Sequence, residues 1–378
     1  MNKVKGILCL LGLVSSGCIW SSSSDLVLGS IPGVSQLYSY PNNCTEICYQ
    51  PMSLEQTVAH YLNQSLQRDG YAGQVKVRLE DGQVKVQFPD AVPADYGTRV
   101  MAFLGMGQSA LTAAQQLNEA HVWAYNWRFF LPHGMALENH HSVQLLHFPP
   151  DDSLMQAQDY LKSKTTDRWA ALLTLNGVPA EQTPAYQTII DLAPVAAPAN
   201  VGSKLAPTYV AFTPYVKGMI QQWSQMPQDG QSYPMVAFGQ PVRQWLVQSY
   251  GQQFQYAGAA KGKAFATLDL GALDVGGRQV AVLGANHPSQ IWYAADPDEY
   301  GGDSTKADKI GIQVMGQDLV ASCWQAGMGA KPGSDPATQL QQCQQRWPVG
   351  SAAVCEQFYQ SIRQLNPSEA AERCQAPG

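Results

Sequence analysis

Two hydrophobic periods alternate along the chain. Over residues 51–70, Leu54, Val58, Leu62 and Leu66 recur at fours behind Ser53 and Gln56. That spacing, with a capping-box pair at its start, predicts an amphipathic helix. Residues 74–88, QVKVRLEDGQVKVQF, switch to strict alternation. Val75, Val77 and Leu79 face one way, Asp81-Gly82 supplies a tight turn, and Val84, Val86 and Phe88 return, which predicts a β-hairpin. From Arg99 onward, short apolar runs alternate with helical spacing. Runs 100–104, 143–148, 169–175, 235–238 and 279–283 predict buried strands, with a further one over 121–129. Segments 109–119, 154–162, 215–225, 241–250 and 306–325 predict helices, and the Ala/Pro-rich stretch 193–206 predicts a loop. Strands without a polar face, interleaved with helices, predict an α/β fold: a three-layer sandwich around a mostly parallel central sheet.

The chain has 378 residues, of which 45% are hydrophobic and 14% charged, enough to bury a sizeable core. Lys and Arg number 23 against 29 Asp and Glu, a net charge of −6. A surplus of acid argues against double-stranded DNA as a partner, because phosphate contacts need cationic side chains to release counterions.

The first residues supply an address. Lys3 and Lys5 precede a short apolar stretch, about half of the roughly 20 residues that a bilayer demands, so an export signal is predicted rather than a spanning helix. The ending Ser15-Ser16-Gly17-Cys18 resembles a bacterial lipoprotein signal, with Ser15 where Leu is usual. That resemblance implies cleavage before Cys18, lipidation of its thiol and attachment to a membrane. Ile19 stands where an inner-membrane retention signal would have Asp, which implies the outer membrane. Ser21 to Ser24 form a flexible tether. Cleavage removes both lysines and no acid, taking the net charge from −6 to −8.

Six cysteines remain once Cys9 is removed and Cys18 acylated: Cys44, Cys48, Cys323, Cys343, Cys355 and Cys374. An even number in an exported chain predicts disulfides. Several pairings are open; the expected set is Cys44–Cys48, Cys323–Cys343 and Cys355–Cys374. The spacings are not those of a zinc site, and no metal is expected. The predicted organisation is a signal peptide (1–17), an anchor and tether (18–43), a helix-hairpin unit (44–92), an α/β domain (93–322) and a Cys-rich helical tail (323–378).

In a parallel sheet, ligands gather at the carboxyl ends of the strands. The apolar runs are followed by Gly105-Met106-Gly107-Gln108-Ser109, by Asn176-Gly177, by Gly239-Gln240, and by Gly284-Ala285-Asn286-His287-Pro288-Ser289. Small residues let backbone approach a ligand, and the polar ones converge on it. The order FLGMGQS, LLTLNG, MVAFGQPVRQWL, VAVLGANHPS resembles the uracil-DNA glycosylase superfamily over about residues 99–325. The resemblance implies hydrolysis of an N-glycosidic bond. His287 would stabilise the leaving base and Asn176 would read its edge. Gln108 and the Gly105–Gly107 bend would face the attacking water, with Ser109, Asn286 and Ser289 lining the cleft. The first loop lacks the Asp, Asn or Pro which that family uses, so an altered or lost activity is expected.

Gly105, Gly107 and Ala110 also fit the glycine fingerprint of a dinucleotide-binding unit and resemble the opening of a β-hydroxyacid dehydrogenase. No acid follows about 20 residues later to hold an NAD ribose, and no cofactor is expected. His121, His133, His140, His141 and His147 cluster without metalloenzyme spacing. Asp296, Asp298 and Asp303 fail the calcium-loop pattern. Two functional classes remain: binding or hydrolysis of a nucleobase-type ligand, and a non-catalytic envelope module. A protein partner is not identifiable.

Overall fold

The structure, a computed structural model, describes residues 6–8, 19–21, 25–28, scattered positions from 59 to 104 including all of 69–80 and 83–89, then 142–147, 164–193 except 187, 206–224, 234–251, 254–256, 268–328 and 334–375. In chain order the strands are β1 (Gly6–Leu8), β2 (Ile19–Ser21), β3 (Asp25–Leu28), β4 (Lys76–Glu80), β5 (Gln83–Gln87), β6 (Val143–Leu146), β7 (Thr188–Asp191), β8 (Met235–Phe238), β9 (Phe254–Tyr256), β10 (Asp269–Val275) and β11 (Arg278–Ala285). The helices are α1 (Lys164–Leu175), α2 (Ala206–Ser224), α3 (Gln240–Tyr250), α4 (Gln290–Ala294), α5 (Ser304–Ala326), α6 (Pro336–Arg346), α7 (Ala352–Ser361) and α8 (Pro367–Gln375).

The chain forms two compact units. One comprises Met1–His140, Phe148–Asp152 and Ile190–Gln231; the other comprises His141–His147, Ser153–Ile189 and Ser232–Gly378. In the first, the expected hairpin is present. Val77 pairs with Val86 and Leu79 with Val84, and β3 adds antiparallel to β5. Val75, Val84 and Val86 are buried there, with Leu62 and Leu66, two helical positions of the predicted 51–70 segment. The Asp81-Gly82 turn lies outside the described residues. Tyr96 donates to Asp69 at 2.7 Å and packs on Tyr71.

The sheet order is β7-β6-β8-β11-β10-β9. β6, β8 and β11 are mutually parallel, β10 is antiparallel to β11, and β9 is antiparallel to β10. Four of these five strands therefore run one way, and the sheet is mostly parallel. Every residue of β6 and β8 is buried. That is what a sheet core covered on both faces requires. The buried helix α5 packs on β8, β11 and α1, and α3 packs on β8 and β9. Arg243 of α3 pairs with the buried Asp269 of β10.

Two runs expected to be strands are helical. Residues 169–175 belong to α1, where Trp169, Leu172 and Leu173 are buried at helical spacing. The run is built from Ala and Leu, good helix formers with no β-branched residue before Thr174. Its Asn176-Gly177 ending is a Schellman cap: Gly177 N–H donates to the Thr174 carbonyl and Val178 N–H to that of Leu173, with Gly177 at φ +93°. Of the expected strand 100–104, the described Val100 and Leu104 are helical and buried. Conversely, β7, β9 and β10 escaped the sequence reading. β10 and β11 form a hairpin across Gly276-Gly277, both at positive φ. Helix α2 begins well before the expected 215, running through Pro214. Pro214 and Val210 are both exposed, so the carbonyl freed by the missing N–H faces water.

Two disulfides, Cys323–Cys343 and Cys355–Cys374, pair as expected. They join α5 to α6 and α7 to α8 and mark an oxidising, exported compartment. Cys44 and Cys48 lie outside the described residues. No helix among the described residues is long and apolar enough to cross a membrane.

Candidate functional site

The strand register brings three chain segments to one edge. Leu145, Ala237 and Gly284 lie abreast in β6, β8 and β11. Two residues on, His147, Gly239 and Asn286 leave the sheet together, and Gly239 N–H still donates to the Ala285 carbonyl at 2.8 Å. This is the carboxyl edge of the parallel strands.

His147 and His287 meet there edge to face, with ring centroids 6.1 Å apart. Gly239 lies between their strands and permits the approach. It sits at φ +83°, and a Cβ on it would come within 3.1 Å of His147 Nε2 and 3.9 Å of His287 Cβ. Any other residue would be strained and would push the imidazole away.

Burial keeps both rings neutral at pH 7. His147 falls to about 4, with a hydrogen bond to the Phe238 backbone working slightly the other way. His287 falls to about 3 through burial first, then through repulsion from His147 and Arg168. A ring with a pKa three to four units below neutrality is protonated only ~10⁻³ to 10⁻⁴ of the time. Neither is an effective general acid or base at pH 7. Each is instead a fixed hydrogen-bonding group. His287 Nδ1 accepts from Ser289 N–H at 3.3 Å and lies in close contact with Ser289 Oγ. With Nδ1 accepting, the proton is on Nε2, a donor. His147 Nε2 is buried without a partner while the ring binds the Phe238 backbone, which leaves that nitrogen an acceptor. One unused acceptor and one donor thus come together at the strand ends.

A buried acid is joined to this edge through Asn286. Asp318 of α5 is fully buried and neither carboxyl oxygen has a well-formed hydrogen bond. Burial pushes its pKa well above the carboxylate range, and contact with Asn286 only partly offsets that. Asn286 donates to Gln317 at 2.6 Å. The half-buried Arg168 of α1 lays its guanidinium on Trp292, 3.9 Å from the ring centroid.

Of the residues expected from sequence, the structure groups Asn286, His287 and Ser289. It adds His147, Gly239, Arg168 and Asp318. Asn176 is occupied elsewhere. Its amide donates to the Leu172 and Leu319 carbonyls and to Ser322 Oγ, and it accepts from Trp347 Nε1 at 2.6 Å. It ties α1 to α5 and the tail. Gly105, Gly107, Gln108, Ser109 and Cys18 lie outside the described residues, as do the other clustered histidines. Asp296 and Asp303 are capping residues, accepting from Asp298 N–H and Lys306 N–H. Among the described residues no group of three His, Cys, Asp or Glu is placed to hold a metal.

His147 falls inside the run 143–148 expected to be a strand and was missed as a site residue; β6 ends at Leu146, which leaves His147 at the strand end. Asp318 was missed; the signal that could have found it is an acid set between Val314-Met315 and Leu319-Val320 in the 306–325 helix. No family model matches this chain, nor does any curated protein or solved structure.

Proposed function

We propose that this is an envelope lipoprotein, anchored to the outer membrane through Cys18, that binds a small nucleobase- or nucleoside-type ligand at the strand-end histidines. The observation that carries the binding reading is the paired, neutral His147 and His287 over Gly239, offering an acceptor and a donor with no protein partner of their own. A lactam edge, with its adjacent N–H and C=O, is the complement of that pair. Trp292 supplies an aromatic surface beside it. The disulfides support export, and the amino-terminal sequence supports the anchor. A three-layer arrangement with α5 and α3 on opposite faces of the sheet is part of this reading.

The chemistry favours binding over hydrolysis. Glycosidic cleavage needs an activated water, and both imidazoles are too weakly basic to provide one at neutral pH. A neutral His287 donor would stabilise negative charge on a departing base, so slow hydrolysis is the second reading.

Thermal-shift measurements with uracil, uridine and NAD(P) on the wild type and on His287→Ala test the reading. A rise in Tm with uracil or uridine that disappears in His287→Ala is expected. Absence of any shift would leave the non-catalytic envelope module. A shift with NAD(P) alone that survives the substitution would point instead to the Gly105–Ala110 segment. Replacing Cys18 with Ala should release the protein from the membrane fraction.

A further inference from the structure

Arg168 is unusual among the site's groups. The guanidinium is half-buried, which lowers its pKa, yet no carboxylate or carbonyl among the described residues accepts from it. Asp167, next in sequence, does not serve: its carboxyl is pushed up by burial and feels no opposing cation. Among the described residues, the contact that holds Arg168 is the face of Trp292, at 3.9 Å. Stacking uses the plane of a guanidinium and leaves its N–H edge free. The same cation is close enough to His287 to depress its protonation. Trp292 lies on the short helix that follows His287, so stack and imidazole are held by one piece of chain. The exposed Tyr293 borders the cation as well.

An acidic chain has many carboxylates with which to neutralise a structural arginine, and Asp308 does this for Arg363 at 2.6 Å. An Arg168 stacked on Trp292, with no carboxylate on its N–H edge among the described residues and a neutral donor and acceptor at the neighbouring histidines, makes a fork shaped for an oxyanion. We propose that Arg168 reads a carboxylate or phosphate carried by the ligand, so that the site prefers an anionic nucleobase derivative to a neutral one. This rests on the histidine-site reading above and names the ligand class for it.

The test compares matched neutral and anionic probes by calorimetry on the full chain: uracil against orotate for a carboxylate, and uridine against uridine 5′-monophosphate for a phosphate. Wild type, R168Q and R168K are measured, with melting curves to verify folding. Wild type should prefer one anionic probe over its neutral partner by about tenfold or more, the worth of a charge-assisted hydrogen bond. The pair that shows the preference identifies the anion. R168Q should abolish the preference, and R168K, which keeps the charge without the fork, should retain part of it. Neutral probes that bind as well as anionic ones, or a preference that survives R168Q, would overturn the role of Arg168 and leave the histidine site standing. If no probe binds the wild type, both this assignment and the site reading fall.

Discussion

The carboxyl edge of the sheet and the carboxyl-terminal tail lie in the same compact unit and obey opposite rules. In the tail, the helix ends and the charged groups are matched, and among the described residues Gln342 Oε1 is the one buried side-chain oxygen there without a partner. Asp335 caps α6, Ser351 caps α7, and Asn366 and Glu369 form a reciprocal capping box on α8. Arg363 holds Asp308 and the Ala295 carbonyl, and Tyr359 completes the acid's shell. Two disulfides close the structure. At the strand edge, by contrast, His147 Nε2 is buried without a partner, and Asp318 of α5, in contact with Asn286, lacks a well-formed hydrogen bond to either oxygen. An unmatched buried polar group costs about 1–3 kcal/mol, so a site that retains several of them is one where stability has yielded to another demand. The difference separates a staple from a site.

Helix α5 connects the two. Its buried Ser322 and Gln325 are fully engaged, the first with Asn176 and the second with Trp169 and the Tyr186 carbonyl. One to two turns earlier on the same helix, Asp318 has nothing comparable.

The contrast is most severely tested by removing a staple. Cys323→Ser with Cys343→Ser should cost about 2–5 kcal/mol, seen as a large fall in Tm, while ligand binding by the folded fraction persists. A smaller loss is expected from Gly311→Ala. The new Cβ would lie 2.5 Å from the Phe358 ring and 3.0 Å from Ala295 Cβ, and such overpacking costs about 1–3 kcal/mol. Denaturant titration would measure it.

The buried titratable groups give opposite slopes with pH. His147 and His287 are protonated near 6.5 when unfolded but only near 4 and 3 when folded. Their contribution to stability is complete above about pH 6.5 and is lost as pH falls towards those values. In the other unit, Asp191 keeps its proton to about pH 8 in the fold, against 3.8 in the free side chain. Its contribution is complete below about pH 4 and is lost as pH rises through 8. Each group bears on stability by at most about 1.4 kcal/mol per pH unit within its window. Asp191→Asn should therefore flatten the decline in Tm between pH 5 and pH 8, and His147→Gln should flatten the decline below pH 6. Curves parallel to wild type would show that these groups titrate normally. At the small end, Lys85→Ala breaks an exposed pair with Glu80 in the hairpin of the other unit and should leave Tm unresolved from wild type.

Sequence revealed the parts of this fold whose period is unambiguous. The alternation at 75–88 marked a hairpin, and the apolar runs at 143–148 and 235–238 marked two parallel strands, the first of which ends at Leu146. The run at 169–175 misled because a short buried segment looks alike as helix or strand. The deciding features were the helix-forming Ala and Leu within it and the Asn176-Gly177 cap after it. The β10–β11 hairpin was marked by Gly276-Gly277, a turn signal as strong as Asp81-Gly82. At the site, His287 was visible through its strand-end position, and His147 was visible but was grouped with four histidines near it in sequence. Arg168 could not be found from sequence, since its stack on Trp292 joins residues more than a hundred positions apart.

The claim that His147 and His287 form one neutral, ligand-accepting pair is tested most directly by ¹⁵N NMR of the histidine rings. Both should remain neutral at pH 6, and both should shift when uridine or its monophosphate is added. A ring that titrates near pH 6.5, or two rings that ignore every probe, would contradict it.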